Sequence, residues 1–406
     1  MTYDDKFFDW IRAHAGQDPA ALRLKYHGRT DMDYDAAILQ IECRRKFGTK
    51  LRDTLDADPH FIFPSVLAGE QSTSDLLAEY HASIVASDLP AVDLTAGLGI
   101  DAFHISRRAS QVAAVEIDEA RADAIEYNAG QLHIDTLTVH HGDCVSFIKE
   151  SIATGRHFTT AFIDPARRSA TGDRVYALED CTPDVLSLMP ELEKLCDILI
   201  IKASPMLDIA HTISVLPHRP FAVQAVGTPT ECRELLVIVN FKEETAATLI
   251  EAVTLTADDS TTYAFTRSNE EDEPMPQAAP IAADDYICEP WPTVMKTGAF
   301  RTLAAKYHLK MFNPNTRLLH SSDFPSAFPG DVYKVIEVLP YASKVIKRFK
   351  SRYPRINVAA RNFGISADAL RAKLAVNDGG DLRLYGITDA KGDKQLIVCR
   401  LAKTKD

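Results

Sequence analysis

The sequence predicts a doubly wound α/β core, preceded by a helical module and followed by an α+β region. Two observations carry that fold class. Between residues 91 and 239, short apolar strand runs alternate with segments of helical period, the pattern of a mostly parallel sheet covered on both faces. The first run, Ala91 to Leu94, feeds into Gly97-x-Gly99 and a helix, a sharp turn in which glycine lets the backbone pass where a side chain would meet a ligand.

Taken in order, residues 1–65 form the helical module, with apolar residues at helical spacing over Tyr3 to His14, from Pro19 onward and over Asp33 to Arg45. Residues 66–268 are the α/β domain. It opens on Glu70-Gln71-Ser72-Thr73-Ser74, a hydroxyl cluster suited to cap the helix that follows. Strands are expected at 91–95, 112–117, 136–140, 160–164, 197–202 and 220–226, with Leu235 to Val239 returning as a hairpin partner and a strand-like pair over 250–267. Residues 269–288, beginning Asn269-Glu270-Glu271-Asp272-Glu273-Pro274, read as an exposed acidic linker. Beyond it lie a small domain at 289–338 and a basic domain at 339–406 that ends in a strand pair.

At 406 residues and 46% hydrophobic content, two or three globular domains are expected. No apolar run approaches the ~20 residues of a membrane span, and the N-terminus lacks a basic segment followed by an apolar one, so a cytoplasmic protein is expected. Seven scattered cysteines without C-x-x-C or Cys/His spacing imply free thiols, no disulfide framework and no metal site. From Glu289 onward, 21 Lys and Arg stand against 10 Asp and Glu, whereas the preceding residues carry 24 against 47. A basic tail on an acidic body suggests a polyanionic partner; a solvated basic face is the alternative.

Glu116 ends the second strand nineteen residues beyond Gly97, where a carboxylate can accept hydrogen bonds from both ribose hydroxyls of a nucleotide cofactor. Gly97, Gly99 and Ala102 nominally satisfy the dinucleotide fingerprint, and a nicotinamide cofactor is one reading. Asp93 favours another. An acid at the tip of the first strand repels a pyrophosphate and attracts an ammonium, and S-adenosylmethionine joins adenosine to an amino acid. Thr95, Ala96, Ile117 and Cys144 would line the same crevice. Asp143 would face the adenine or simply cap its helix, and Gln71 and Ser72 would reach the methionine carboxylate or serve as caps.

A second motif, Asp164-Pro165-Ala166-Arg167-Arg168, closes the fourth strand, so Asp164 should point into the crevice. It is similar to the Asn/Asp-Pro-Pro-aromatic motif of enzymes that methylate exocyclic amines, with Ala166 and Arg167 departing from it, and to the Asp-Pro-Pro-Arg of RNA uracil methyltransferases. The latter use a cysteine nucleophile where this chain has Ala203, so direct transfer to nitrogen or oxygen is expected, with Asp164 and Pro165 holding the acceptor. Lys202 and Arg167 would contact phosphate or compensate Asp164.

Together with Lys202-Ala203-Ser204-Pro205, Met295-Lys296-Thr297-Gly298 and Ala360-Arg361-Asn362-Phe363-Gly364, these motifs resemble the bacterial class I methyltransferases with a THUMP-like C-terminal domain, particularly the Bacteroidetes branch. The resemblance covers nearly the whole chain. It implies a Rossmann-like seven-stranded sheet, S-adenosyl-L-methionine as cofactor, a small ferredoxin-like domain and, by analogy with true THUMP domains, recruitment of structured RNA such as rRNA or tRNA. Arg167, Arg168, Lys344, Lys347, Arg348, Lys350, Arg352, Arg355 and Arg361 are the candidate RNA contacts, with Tyr341, Phe349, Tyr353 and Phe363 interleaved either for stacking on bases or as core. A non-catalytic RNA binder, a methyltransferase of proteins or small molecules and, last, a dinucleotide enzyme remain as alternatives; the oligomeric state is open.

Overall fold

The computed structural model describes residues 3–167 and 178–402, the side chain of Arg167 excepted, and Arg168 lies outside the described residues. The chain divides into two compact units: residues 1–223 with 234–246, and residues 224–233 with 247–406. No described helix is long and apolar enough to cross a membrane.

In the first unit the expected strands form as β1 (Pro90–Asp93), β2 (Gln111–Glu116), β3 (Leu137–His141), β4 (Phe158–Ile163) and β5 (Cys196–Ala203). All pair in parallel, in the order β3-β2-β1-β4-β5. Two further strands, β6 (Ala222–Thr228) and β7 (Glu231–Asn240), are each shared by the two units. The Asn240 end of β7 runs antiparallel beside β5, Leu235 facing Ala203 and Asn240 facing Ile198. The chain leaves β1 for β2 on one side and returns to β4 on the other. This reversal opens a crevice above the carboxyl ends of β1 and β4, where ligands of open α/β sheets bind.

Short polar side chains start the helices that follow. Ser74, Asp118 and Asp143 accept the N–H of Leu77, Arg121 and Ser146, satisfying donors that the first helical turn leaves unpaired. The N-terminal helices Asp5–His14, Pro19–Tyr26 and Tyr34–Phe47 bury Phe7, Phe8, Ile11, Leu22, Ile38 and Ile41 in a cluster that includes Ala124. The module is thereby packed on the helix Glu119–Gln131 that follows β2. Two buried amides pin the segment linking module and sheet: Asn128 exchanges two hydrogen bonds with Ile62 (2.8 and 2.9 Å), and Gln40 two with Phe63 (2.8 and 3.0 Å).

The second unit holds the hairpin β8 (Leu249–Leu255) and β9 (Ser260–Thr266). A separate seven-stranded sheet contains β10 (Tyr286–Pro290), β11 (Lys310–Met311), β12 (Leu319–Ser321), β13 (Gly330–Pro340), β14 (Asn357–Arg361), β15 (Leu382–Thr388) and β16 (Lys394–Leu401), in the order β11-β12-β10-β13-β16-β15-β14. The acidic stretch read as a linker differs from that expectation. It begins in the helix Arg267–Asp272, and Glu270 accepts the N–H of Phe300, Arg301 and Thr302 at 3.0, 2.7 and 3.0 Å. The helix Arg301–Lys306 has no side-chain cap of its own, and this remote carboxylate supplies one.

Replacing Asn128 by Ala strips two partners from the buried backbone of Ile62. A loss of about 2–3 kcal/mol in urea unfolding is expected, given the cost of unsatisfied buried groups.

Candidate active site

Three carboxylates stand at the carboxyl ends of three parallel strands, Asp93 on β1, Glu116 on β2 and Asp164 just past β4; Asp164 lines the crevice, and Asp93 and Glu116 are buried. Glu116 accepts the N–H of Gly97 at 2.7 Å and of Asp118 at 2.9 Å, which fixes its carboxylate against the glycine turn. Asp93 is 2% exposed and accepts the Thr95 N–H at 3.0 Å. The Thr95 hydroxyl in turn accepts the Asp164 N–H at 2.7 Å, so the tips of β1 and β4 are tied together.

The two motif glycines do different work. Gly97 has φ +61° and a Cβ there would meet no described atom within 4 Å, so its open side faces the crevice. Gly99 has φ +87° and a Cβ would come within 2.9 Å of Phe103 and 3.0 Å of Ile125, so it serves helix packing.

Gln71, Ser72, Thr95, Ala96, Gly97 and Asp164 line a common crevice together with Thr73, Asp101 and Arg121. Asp143 caps the helix Cys144–Ala153, with Ser146 donating from both N and Oγ, and Cys144 is buried behind it. Ile117, 68% exposed, stands beside that turn, His141 Nε2 lying 3.2 Å from its carbonyl oxygen. These three residues cluster at the β2 and β3 tips.

Lys202 donates from Nζ to Asp164 Oδ2 at 2.6 Å and to Thr73 Oγ1 at 3.1 Å. The ion pair raised as an alternative for this lysine is therefore formed. Thr73 donates onward to Asp101 at 2.5 Å, Asp101 accepts from His81 Nδ1 at 2.7 Å, and His81 Nε2 bonds Glu234. Burial opposes charge on His81, but Glu234 and Asp101 outweigh it and raise its pKa to about 10. Burial likewise opposes the Lys202 ammonium, and Asp164, Asp101 and Glu234 more than compensate, raising its pKa. Asp101, despite its burial, is held well below the usual carboxylate range by His81, Lys202 and the Thr73 hydroxyl. At Asp93 burial first, then Asp101, outweigh the Thr95 N–H and the Lys202 ammonium and push the pKa up to about 8.

His81, Asp101, Glu234 and Arg121 were not singled out from the sequence. Asp101 carried a signal, two residues past Gly99, and Glu234 another, a charge opening the apolar run of β7. Arg121 donates to Gln71 at 3.0 Å and brings a cation to the crevice.

Residues 286–329 match a family described as a ferredoxin-like domain, and residues 330–401 a THUMP domain-like family. A crystal structure of a candidate methyltransferase from Porphyromonas gingivalis W83 is similar over 99% of this chain and 100% of its own, at 30% identity and a TM-score of 0.88. The chain belongs to the class I methyltransferases that carry ferredoxin-like and THUMP-like domains. Two Streptococcus mutans structures, a candidate methyltransferase and another in complex with SAH, are similar to 40% and 41% of this chain and to 47% and 96% of their own chains. Their identities are 10% and 17%, with TM-scores of 0.32 and 0.30. No curated protein matches the sequence.

On the second unit, the helix Ser343–Arg352 presents Lys344, Lys347, Arg348 and Lys350, all exposed and without an ion pair among the described residues. Arg352 and Arg361 are paired with Glu337 and Glu289, and Arg355 donates to the Asp378 carbonyl. Phe349, Tyr353 and Phe363 are buried in the core, which removes them as platforms for bases. Tyr341 packs edge-on against Phe363 at 4.8 Å. The seven cysteines are thiols outside any disulfide, and no metal-binding group of His, Cys, Asp and Glu occurs among the described residues.

The raised pKa of Asp93 makes stability pH-dependent. The folded protein keeps this proton up to about pH 8, whereas an unfolded chain loses it near the ordinary value of 3.8. Between those values unfolding releases a proton, so this group's contribution to stability falls as pH rises. Asp93→Asn is expected to unfold several degrees above the parent protein at pH 7.5, with the difference closing toward pH 4 in thermal melts.

Proposed function

We propose that this protein transfers a methyl group from S-adenosylmethionine to structured RNA, rRNA or tRNA, directly onto nitrogen or oxygen, with Asp164 positioning the acceptor. The observation that supports this reading is that Asp93, Glu116 and Asp164 stand at the tips of adjoining strands beside the Gly97 turn, each bonded to it or to Thr95. The donor set fits the cofactor. Asp93 is a buried acid that an incoming ammonium would ionise, Glu116 keeps lone pairs for ribose hydroxyls beyond the two N–H groups it accepts, and Gly97 leaves space where a side chain would project.

In this reading Gln71 and Ser72, with Arg121 beside them, meet the methionine carboxylate, and Ile117, Asp143 and Cys144 border the adenine. Thr95, Ala96 and Gly99 shape the turn. The sulfonium supplies an already activated methyl group, so orientation of the acceptor accounts for much of the rate. Asp164 offers a carboxylate oxygen to an acceptor N–H or O–H while its other oxygen is held by Lys202. Pro165 contributes no N–H that would compete at that turn. Lys202, kept charged, balances Asp164 and does not act as a base.

The domain division carries the second half of the proposal. Residues 66–268 hold the chemistry, and the regions 289–338 and 339–406 recruit RNA. Support comes from the THUMP-like match at 330–401 and from Lys344, Lys347, Arg348 and Lys350 on Ser343–Arg352, exposed and without an ion pair among the described residues. Phosphate neutralisation by these cations would make binding fall with salt.

The test is incorporation of labelled methyl from S-adenosylmethionine into total RNA prepared from cells lacking the protein. Label is expected in RNA, with Asp164→Ala lowering it about a hundredfold. Label confined to protein, or RNA binding with no incorporation, would contradict the proposal.

A further inference from the structure

Six polar side chains form one continuous chain that begins at the crevice and ends in the core: Asp164, Lys202, Thr73, Asp101, His81 and Glu234. The Asp164 side chain is 40% exposed and the His81 side chain 0%. We propose that Thr73, Asp101, His81 and Glu234 are positioning residues that fix Lys202, and through it Asp164; this rests on the reading of Asp164 as the group that holds the acceptor.

The alternation of groups is the first argument. Carboxylate, ammonium, hydroxyl, carboxylate, imidazolium and carboxylate follow one another, so each charge faces an opposite charge or a hydrogen-bonding partner. Buried charges cost several kcal/mol each to desolvate, and apolar side chains of similar volume would often stabilise a fold as well or better. A chain of this kind with one end open to a ligand crevice is accounted for by what it does to that end.

Thr73 is the second argument. Its hydroxyl accepts from Lys202 and donates to Asp101, so both of its hydrogen-bonding roles are set by charged neighbours. It follows directly on Gln71 and Ser72, which line the crevice with it. The relay therefore ties the segment proposed to meet the cofactor to the carboxylate proposed to meet the acceptor. His81, held between Asp101 and Glu234, fixes Asp101 from the far side. Without that cation, Lys202 would be the nearest positive charge to Asp101 and Glu234 as well as to Asp164, and its hold on Asp164 would weaken.

The experiment compares Thr73→Val, which keeps the shape and removes the hydroxyl, with Thr73→Ser, which restores it. For methyl transfer to RNA, Thr73→Val is expected to lower kcat about tenfold while the dissociation constant for S-adenosylmethionine, measured by calorimetry, changes by less than threefold. Thr73→Ser should recover kcat to within about twofold. Independently of activity, nitrogen-15 spectra tuned to lysine ammonium groups should show a slowly exchanging Lys202 signal in the free protein, identified by its loss in Lys202→Met. That signal should exchange faster in Thr73→Val and recover in Thr73→Ser. An unchanged kcat in Thr73→Val, a Thr73→Ser protein as impaired as Thr73→Val, or a Lys202 signal indifferent to both substitutions would overturn the relay. If the Lys202 signal responds as expected but no RNA is methylated by the parent protein, the tether is supported and only the methyl-transfer reading fails.

Discussion

Negative charge gathers where β1, β2 and β4 end, and the fold must make it bearable. Asp93, Asp101, Asp164, Glu116 and Glu234 share one corner of the first unit, most of them deeply buried. Three separate devices answer this. The backbone N–H groups of Gly97 and Asp118 hold Glu116; His81 and Lys202 neutralise the chain from Glu234 to Asp164; and Asp93, where burial and Asp101 outweigh Lys202, keeps its proton up to about pH 8. The neutralisation of Asp164 depends on strand order, because β4 lies between β1 and β5, which carries Lys202.

The same constraint separates residues that hold a ligand from residues that hold the holders. Gly97 faces the open crevice, whereas Gly99 spends its freedom on packing beneath Phe103 and Ile125. The N-terminal module contributes at one remove. Its core cluster and the Gln40 and Asn128 amides seat the segment Phe61 to Phe63, from which the chain continues to Ser72 and Thr73. A helical region far from the chemistry in sequence thus helps set the wall of the crevice.

Much of this was legible in the sequence for a local reason. Strand runs, the glycine turn and the acids at strand ends are contiguous patterns, and the strands form within a few residues of where they were expected. The relay was not legible. His81 and Glu234 are 153 positions apart, and each resembles an ordinary polar residue until β7 lies beside β5. Charge counting also misjudged the basic region in part. A total of charges does not say which of them pair: Glu337 and Glu289 engage Arg352 and Arg361, and the aromatics interleaved with the cations fill the core. Glu270 shows the converse: an acidic run that looks solvated carries a carboxylate that caps a helix thirty residues on.

The central claim is that carboxylates at neighbouring strand tips grip a methyl-donating sulfonium and leave Asp164 for the acceptor. A crystal structure of the protein grown with S-adenosylmethionine tests it most directly. The account predicts the ribose hydroxyls within about 3 Å of Glu116, the amino group turned toward Asp93, and the methyl facing Asp164. A crevice that stays empty at saturating cofactor, or a cofactor lying with its ribose away from Glu116, would contradict it.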